Sequence, residues 1–380
     1  MFQKTKVTIF SFSIFVFMLI FNMNLAFADE TNSSKSTEGI KATVLDTLTI
    51  DNAELEQSHG IKNQKVQILI TSGSHKGEKL IIDNTIDTSM SENFSLSKGD
   101  NILISIEEKN GKITKAYMYQ FDRGKYLLYL TLGFVILMIL IGGIKGIKSV
   151  FTLALTIIII LKVLPTLLLK GYDPVTTSVL ICIGIIVFTL LIVSGINRKT
   201  VSAIIGTSCG VAMAGLIALL MGNLTKLTGY GTEESQMLMY IPQNINFNYK
   251  GLLFAAILMG ALGAIMDVSM SIASSMNEID DSNPNISTAS LMKAGMSVGK
   301  DIMGTMSNTL ILAYIGASLQ FVILLMAYNI SFIEIINQNV IATEIVRALS
   351  GSIGLISSIP ITIFVSGILR NRKARRRLEI

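Results

Sequence analysis

The sequence predicts an α-helical polytopic membrane bundle of about seven transmembrane helices with an N-terminal exported small β-barrel-like domain. Three observations predict this fold class. The chain has 380 residues, of which 51% are hydrophobic and only 15% are charged, whereas soluble domains carry more charge to cover their surface. From residue 126 onward, apolar runs of about twenty residues follow one another, and that is the length of a membrane-spanning helix. The segment before residue 126 is polar and contains short runs of β-branched residues, which are typical of strands.

A secretory signal peptide is predicted at the N-terminus. Lys4 and Lys6 precede an apolar stretch from Val7 to Phe21, and Ala26-Phe27-Ala28 supplies the small residues of a cleavage site. An uncleaved anchor is the alternative, and it is disfavoured because the apolar run is short for a span. The expected organisation is a signal peptide at 1–28, an exported β-rich domain at 29–125, a seven-helix membrane domain at 126–369 and a basic cytoplasmic tail at 370–380.

The exported domain is predicted to be a small, partly open barrel of the OB or SH3 type. Asn110-Gly111 is typical of a type I′ hairpin turn, because both central residues must tolerate a positive φ. His59 and His75, the only histidines, fall in predicted loops without metal-ligand spacing, so they are expected to be solvated. Five strands are predicted, at residues 40–50, 65–71, 79–82, 101–107 and 112–119.

The basic residues predict the topology of the membrane domain. Lysines and arginines concentrate in alternate connections and in the C-terminal tail, which the positive-inside rule assigns to the cytoplasm. With the β domain outside, an odd number of spans is needed to bring the tail inside. The expected location is therefore a bacterial cell membrane, with an extracytoplasmic N-terminal domain and a cytoplasmic C-terminus. The seven predicted spans are residues 126–144, 149–169, 175–196, 201–221, 251–272, 302–328 and 346–369.

Polar side chains at membrane depth are candidates for a functional site, because an Asp or Lys at the centre of a span costs about 2.5–3.5 kcal/mol. Asp267 and Ser271 lie one turn apart near the inner end of the fifth span, and Asp301, Thr305 and Asn308 share a face of the sixth. These five residues are predicted to form one polar or ion site. Each aspartate could instead be the solvated end of its helix.

A further intramembrane charge and a set of small residues also stand out. Lys162 lies about 18 Å from the inner end of the second span at 1.5 Å per residue, where snorkelling to the outer headgroups competes with function. Small residues at four-residue spacing predict close helix packing, and a helix that slides during transport needs the same smooth face. The residues that form these stripes include Gly206, Gly210, Gly260 and Ala264.

Three segments carry a resemblance to a known family: residues 260–268, with the sequence GALGAIMDV, residues 271–275, with SIASS, and residues 299–314, with GKDIMGTMSNTLILAY. The sequence resembles the YibE/F family of bacterial multipass membrane proteins over most of its length after the signal peptide. Lys300 stands where arginine is frequent in that family, and the charge is retained. The resemblance implies a cell-membrane location and no established reaction.

Two function classes remain. The first is a permease-like transporter of a small solute or ion, which would use an ion gradient or a further subunit because the chain has no complete phosphate-binding loop. The alternative is a non-transporting envelope scaffold or accessory protein that acts through its exported domain. An enzyme is not expected: the membrane part has no histidine, and Asp301 follows Gly299-Lys300 rather than the Gly-x-Gly of intramembrane aspartyl proteases. No cofactor or metal is expected. The expected partners are the lipid bilayer and a second copy or another membrane subunit, and not nucleic acid.

Overall fold

The structure, a computed structural model, describes residues 36–50, 61–87, 95–109, 112–241 and 247–378. The expected signal peptide, the Asn110-Gly111 turn and His59 lie outside the described residues. Contacts divide the chain into two compact units, with the division between Leu140 and Ile141, and each unit is described by itself.

The first unit contains a five-stranded antiparallel sheet in the order β3-β2-β1-β4-β5. The edge strands β3 and β5 approach one another, so the sheet nearly closes into a small barrel, as predicted. β4 ends and β5 begins at residues that pair with each other, Lys109 and Lys112, and two residues therefore connect them. The strands are β1 Ser36–Ile50, β2 Ile61–Ile70, β3 Lys79–Asp87, β4 Asn101–Lys109 and β5 Lys112–Phe121.

The barrel forms because β1 is long enough to pair along both edges. Its first part pairs with β4 and its second part with β2, and a register shift between Val44 and Asp46 bends the strand. Alternate residues of β4 are buried, which is the period of a strand with one face in a core. Among the described residues of this domain, eleven apolar side chains are buried in its interior, so the domain has a hydrophobic core of its own.

The second unit is built from long helices, and the chain has six helical segments that are long and apolar enough to cross a membrane, within the described ranges. The predicted class of fold is therefore confirmed. The helices are α1 Gly124–Ile158, α2 Leu164–Leu169, α3 Pro174–Ser194, α4 Arg198–Leu224, α5 Glu233–Met237, α6 Tyr249–Ser282, α7 Thr288–Ala327, α8 Phe332–Asn337 and α9 Asn339–Leu378.

The first two predicted spans are joined in the structure. α1, a π-helical turn at Ile159–Val163 and α2 follow one another from Gly124 to Leu169, a run of 46 residues. One span needs about twenty residues, so the segment has enough residues for two. The connection predicted around Lys145 and Lys148 is replaced by a single non-helical residue, Gly143, with φ 53° and ψ −129°, a conformation that glycine adopts without strain.

Several helices extend beyond the apolar runs that predicted them, because polar caps and polar turns continue the helix outside the apolar part. Asp173, Asn197, Asn248 and Ser287 each accept a backbone N–H bond from the first turn of the following helix. α3, α4, α6 and α9 bury their facing sides in one core. In contrast, only 11% of the most apolar 18-residue stretch of α7 is buried, and no residue of the corresponding stretch of Gly124–Leu169 is buried.

Candidate functional site

The five residues of the predicted polar site lie on outward faces of two neighbouring helices. Asp267 and Ser271 are exposed on α6, and Asp301, Thr305 and Asn308 are exposed on α7. Thr305 donates its hydroxyl proton to the Ile302 carbonyl at 3.0 Å. The polar residues are therefore not enclosed by the chain's own core.

The packing of α6 against α7 gives the relative depth of the two aspartates. Gly299 packs against Ile272, and Gly260 packs against the hydroxyl of Tyr314, so the two helices run antiparallel. Counted from the Ile272–Gly299 contact, Asp267 lies five residues and Asp301 two residues towards Tyr314. Their depths differ by three residues, about 4.5 Å. Lys162 lies in the π-helical turn of the α1–α2 segment and is exposed.

The two small-residue stripes have different surroundings. Gly206 and Gly210 on α4 lie against Thr362, Ser358 and the Gly354 carbonyl of α9, so closely that an added Cβ would overlap them. This close approach makes α4 and α9 the most extensively packed helix pair. Gly260 is exposed on α6 and meets the Tyr314 side chain rather than a helix backbone, and Ala264 is half-buried.

The first of two charged cavities lies where α9 begins, and we call it the Arg347 cavity. It has a volume of about 350 Å³ and is lined by the start of α9, the start of α6 and the α4–α6 connection. Arg347 Nη1 donates to Glu344 Oε1 at 2.7 Å, and the guanidinium carbon lies 5.8 Å from the centre of the Tyr314 ring. Glu344 Oε2 and Arg347 Nε are buried without a hydrogen-bond partner in the described part of the chain. Leaving a buried neutral polar atom without a hydrogen bond lowers the stability of the fold by about 1–3 kcal/mol, and a charged atom costs more. An ion pair with two such atoms is therefore unusual if its role is purely structural.

The connection between α4 and α6 folds over this cavity. Asn339 donates to the Thr228 hydroxyl at 3.0 Å, and the Tyr230 and Tyr249 rings lie 4.2 Å apart between centroids. Glu234 lies on the cavity wall, and its pKa is lowered by hydrogen bonds from its own backbone N–H and from Thr232. A carboxylate with a lowered pKa is ionised at neutral pH.

The second cavity, which we call the Arg370 cavity, lies at the opposite end of the same helices and has a volume of about 410 Å³. Arg370 Nε donates to Asp280 Oδ1 at 2.6 Å, and Nη2 donates to the Pro284 carbonyl at 3.2 Å. Arg198 and Lys199, at the start of α4, line the same cavity. In the described ranges, no group of three or more His, Cys, Asp or Glu side chains has the arrangement of a metal site.

Comparison with known protein families decides the identity of the chain. Residues 130–372 match the model of the YibE/F-like protein family, and residues 38–121 match the YibE/F family N-terminal domain. The chain belongs to the YibE/F-like family. No curated protein and no solved structure matches it, and the helical segments support a membrane-embedded protein.

Sequence reasoning missed the paired charges of this YibE/F-like protein. The predicted span 346–369 begins just before Arg347 and leaves Glu344 in the preceding connection, whereas both residues lie within α9. Their i,i+3 spacing and opposite charges are a signal that would have found them. The solvated interpretation of His75 is wrong: Nδ1 lies 2.9 Å from Glu78 and Nε2 lies 3.1 Å from Glu108.

Proposed function

We propose that this YibE/F-like protein is a permease-like transporter of a small solute or ion. The observation that carries the proposal is the pair of charged cavities at opposite ends of one set of helices. α6 lines the Arg347 cavity at Ala256 and the Arg370 cavity at Ala273. These residues are about 26 Å apart along the helix, which approaches the thickness of the hydrocarbon core.

Buried hydroxyl groups occupy the region between the two cavities. Several of them have no hydrogen-bond partner among the described residues, including those of Thr207, Ser269 and Ser350. A static bundle gains nothing from such groups, because a buried polar atom without a partner costs free energy. An α4–α9 interface that opens could form hydrogen bonds from these hydroxyl groups to water or a polar solute. The buried hydroxyl-bearing residues of α4, α6 and α9 outside the two cavity linings include Thr207, Ser269, Ser350, Ser352, Ser358 and Thr362.

The α4–α9 interface is also suited to relative motion of the two helices. Gly206, Gly210 and Gly354 provide faces without side chains at the closest approach of α4 and α9. Small residues let two helix backbones approach closely. A face without side chains also presents few steric obstacles when one helix slides along the other. Alternating exposure of the two cavities would then require opening of the α4–α9 contact.

Alternating access is tested by thiol labelling of the full chain. In a background with Cys182→Ala and Cys209→Ser, single cysteines are placed at Thr343 in the Arg347 cavity and at Ser202 in the Arg370 cavity. We expect an impermeant maleimide to label the two positions from opposite sides of the membrane, in intact cells and in inverted vesicles. A disulfide cross-link between facing cysteines on α4 and α9, placed away from Gly206, Gly210 and Gly354 because an added Cβ there would overlap the other helix, should then reduce labelling at one position and leave the other labelled.

Transport itself is measured with purified protein in proteoliposomes, as currents after concentration jumps of small solutes and inorganic ions. We expect a response that Arg347→Gln or Glu344→Gln abolishes, with Glu233→Gln as a control outside the cavity. An accessory role through the exported domain predicts the reverse pattern. Deletion of the β domain would then remove function in cells, while Arg347→Gln and the cross-link would have no effect.

A further inference from the structure

The Arg347 cavity contains unused hydrogen-bonding capacity of both polarities within one ion pair. Glu344 uses Oε1 to accept from Arg347, and Arg347 uses Nη1 to donate. Glu344 Oε2 remains an acceptor and Arg347 Nε remains a donor, without protein partners in the described ranges. Both atoms are buried, so a ligand reaches them when the Glu344 and Arg347 side chains turn towards the cavity. A ligand that fits this pair carries a cationic donor and an anionic acceptor close together.

The remainder of the cavity wall is mostly apolar. Leu252 and Leu253 from α6, Leu238 from the α4–α6 connection and Val340 from α9 line it together with Tyr249. A volume of about 350 Å³ lies within the range of small-molecule sites, which combine apolar walls with a few polar groups. A ligand for this site has one charged end and an apolar body.

We propose that the Arg347 cavity binds a small zwitterion of the amino-acid type, with an ammonium group towards Glu344, a carboxylate towards Arg347 and an apolar side chain against Leu252 and Leu253. The proposal rests on the transport function above, because it names the substrate class of one of its two cavities. Glu234 at the wall adds a second carboxylate, and this favours ligands that retain the ammonium group over free carboxylic acids.

The competing interpretation is a purely structural ion pair that anchors Tyr314 to α9. In that case the cavity would be filled by water, and its occupancy by a ligand would not depend on the two charges. The Arg370 cavity differs, since the guanidinium there bonds Asp280 and the Pro284 carbonyl and lies beside the basic start of α4. Within the described ranges, its lining residues include no buried charged atom without a hydrogen-bond partner.

Binding is measured with the purified full chain in detergent, by calorimetric titration with L-alanine, L-valine, L-leucine and L-phenylalanine. Two analogues of leucine remove one charge each: 4-methylpentanoate lacks the ammonium group, and 3-methylbutylamine lacks the carboxylate. We expect both analogues to bind at least about tenfold more weakly than L-leucine, because each loses one charge-assisted hydrogen bond.

Variants separate the site from the fold. Glu344→Gln and Arg347→Gln should each weaken leucine binding at least about tenfold. Breaking a buried pair can impair folding, so Ala256→Phe provides a second probe: it fills the cavity from α6, where Ala256 is exposed, and leaves the ion pair intact. Ala256→Phe should abolish binding with an unchanged melting temperature, and Glu233→Gln, on the same connection but outside the cavity lining, should bind as the unchanged chain does.

Three results would overturn the zwitterion site: no amino acid in the panel binds to the folded protein, the analogues bind as well as leucine, or Ala256→Phe binds normally. The two proposals fail separately. Leucine binding without uptake into proteoliposomes would contradict the transport function and retain the site. Transport of another solute by a protein that binds no amino acid would contradict the site and retain the transport function.

Discussion

At the scale of single residues, Gly206 is the position where the bundle tolerates least change. A Cβ added there would overlap Thr362 on α9, whereas a Cβ at Gly222 on the same helix would have nothing within 4 Å. Alanine is the better helix former by about 1 kcal/mol, so the same substitution should have opposite effects at the two sites.

Gly206→Ala is expected to destabilise the folded protein by about 1–3 kcal/mol, the usual cost of overpacking. The measurement is the melting temperature of purified protein in detergent, with Gly222→Ala as the matched control. Thr362→Ala removes the nearest hydroxyl and should restore part of the stability of Gly206→Ala. Equal melting temperatures for the two glycine variants would show that α4 and α9 separate easily.

Asp267 presents the opposite case, a residue whose change should affect function and not folding. It is exposed on α6 at nearly the depth of Asp301, so Asp267→Asn removes no core contact. If the two carboxylates hold a proton or a cation during transport, Asp267→Asn should abolish transport with normal membrane insertion, and Lys162→Ala should have a separate, milder effect. Glu278→Gln, further along the same exposed face, is the control. Full transport by both Asp267→Asn and Asp301→Asn would mean that these carboxylates are solvated helix ends.

At the scale of elements, sequence patterns located the strands and helices but not what joins them. The alternation of Ile102, Ile104 and Ile106 fixes one buried face of β4, because a strand has a period of two. Apolar runs predicted where the long helices lie, but several helices extend beyond these runs. The reason is that capping residues such as Asn197 and Ser287 are short and polar and lie outside the apolar run. Gly143 shows the remaining difficulty: one glycine can break a helix or lie within it, and sequence alone does not distinguish these.

The same reasoning explains what sequence could not find in the candidate sites. The stripe of Asp267 and Ser271 is visible because an acidic residue in an apolar run stands out. The Arg347 cavity is formed by α6, α9 and the α4–α6 connection. A residue pattern within one element does not predict contacts among three elements. Of the features of this cavity, only the i,i+3 spacing of Glu344 and Arg347 lies within one helix, where sequence analysis can detect it.

The β domain is expected to fold without the membrane part. Its core residues come from the strands and from Leu96, and Gln64 bonds both backbone groups of Leu96 at 2.7 and 3.1 Å. Residues 29–121 expressed alone should therefore show strand-type circular dichroism and a cooperative thermal transition. A spectrum without strand signal would show that the barrel depends on the helices or on a partner.

The stability of that domain should depend on pH through His75. Hydrogen bonding to Glu78 and the charges of Glu78 and Glu108 raise its pKa from 6.5. A group with a raised pKa in the folded state contributes stability below its unfolded pKa, and this contribution is lost as pH rises through the folded value. In a His59→Gln background, where His75 is the remaining histidine, the melting temperature should fall between about pH 6 and about pH 8.

The Asp122 carboxyl does not account for that fall. Hydrogen bonding to Lys41 lowers its pKa, so its contribution to stability is lost only on acidification. His75→Gln should remove most of the pH dependence between about pH 6 and about pH 8. If the dependence persists unchanged in His75→Gln, the ion pairs of His75 contribute nothing to stability.

At the scale of the whole molecule, the segment from Gly124 to Leu169 decides the topology. It is 46 residues long and has one break, at Gly143. If it crosses the membrane twice, the chain has seven spans, and if it crosses once, it has six. If the β domain is exported, as the sequence predicts, the two counts place the C-terminal tail on opposite sides. Lys145 and Lys148 beside the break favour a turn at the inner surface.

Alkaline phosphatase fusions distinguish the two counts. With seven spans, fusions after Gly124 and Tyr230 should be active outside, and fusions after Asn197 and Arg377 should be inactive inside. With six spans the pattern after Leu169 reverses, so Asn197 and Arg377 report outside and Tyr230 inside. The seven-span arrangement is expected because it puts Arg198, Lys199 and the basic tail in the cytoplasm, and a six-span arrangement would export that tail. Moving the positive charge supplies the control: Lys145→Gln with Lys148→Gln should raise activity at Asn197 only if these lysines hold the break of α1 at the inner surface.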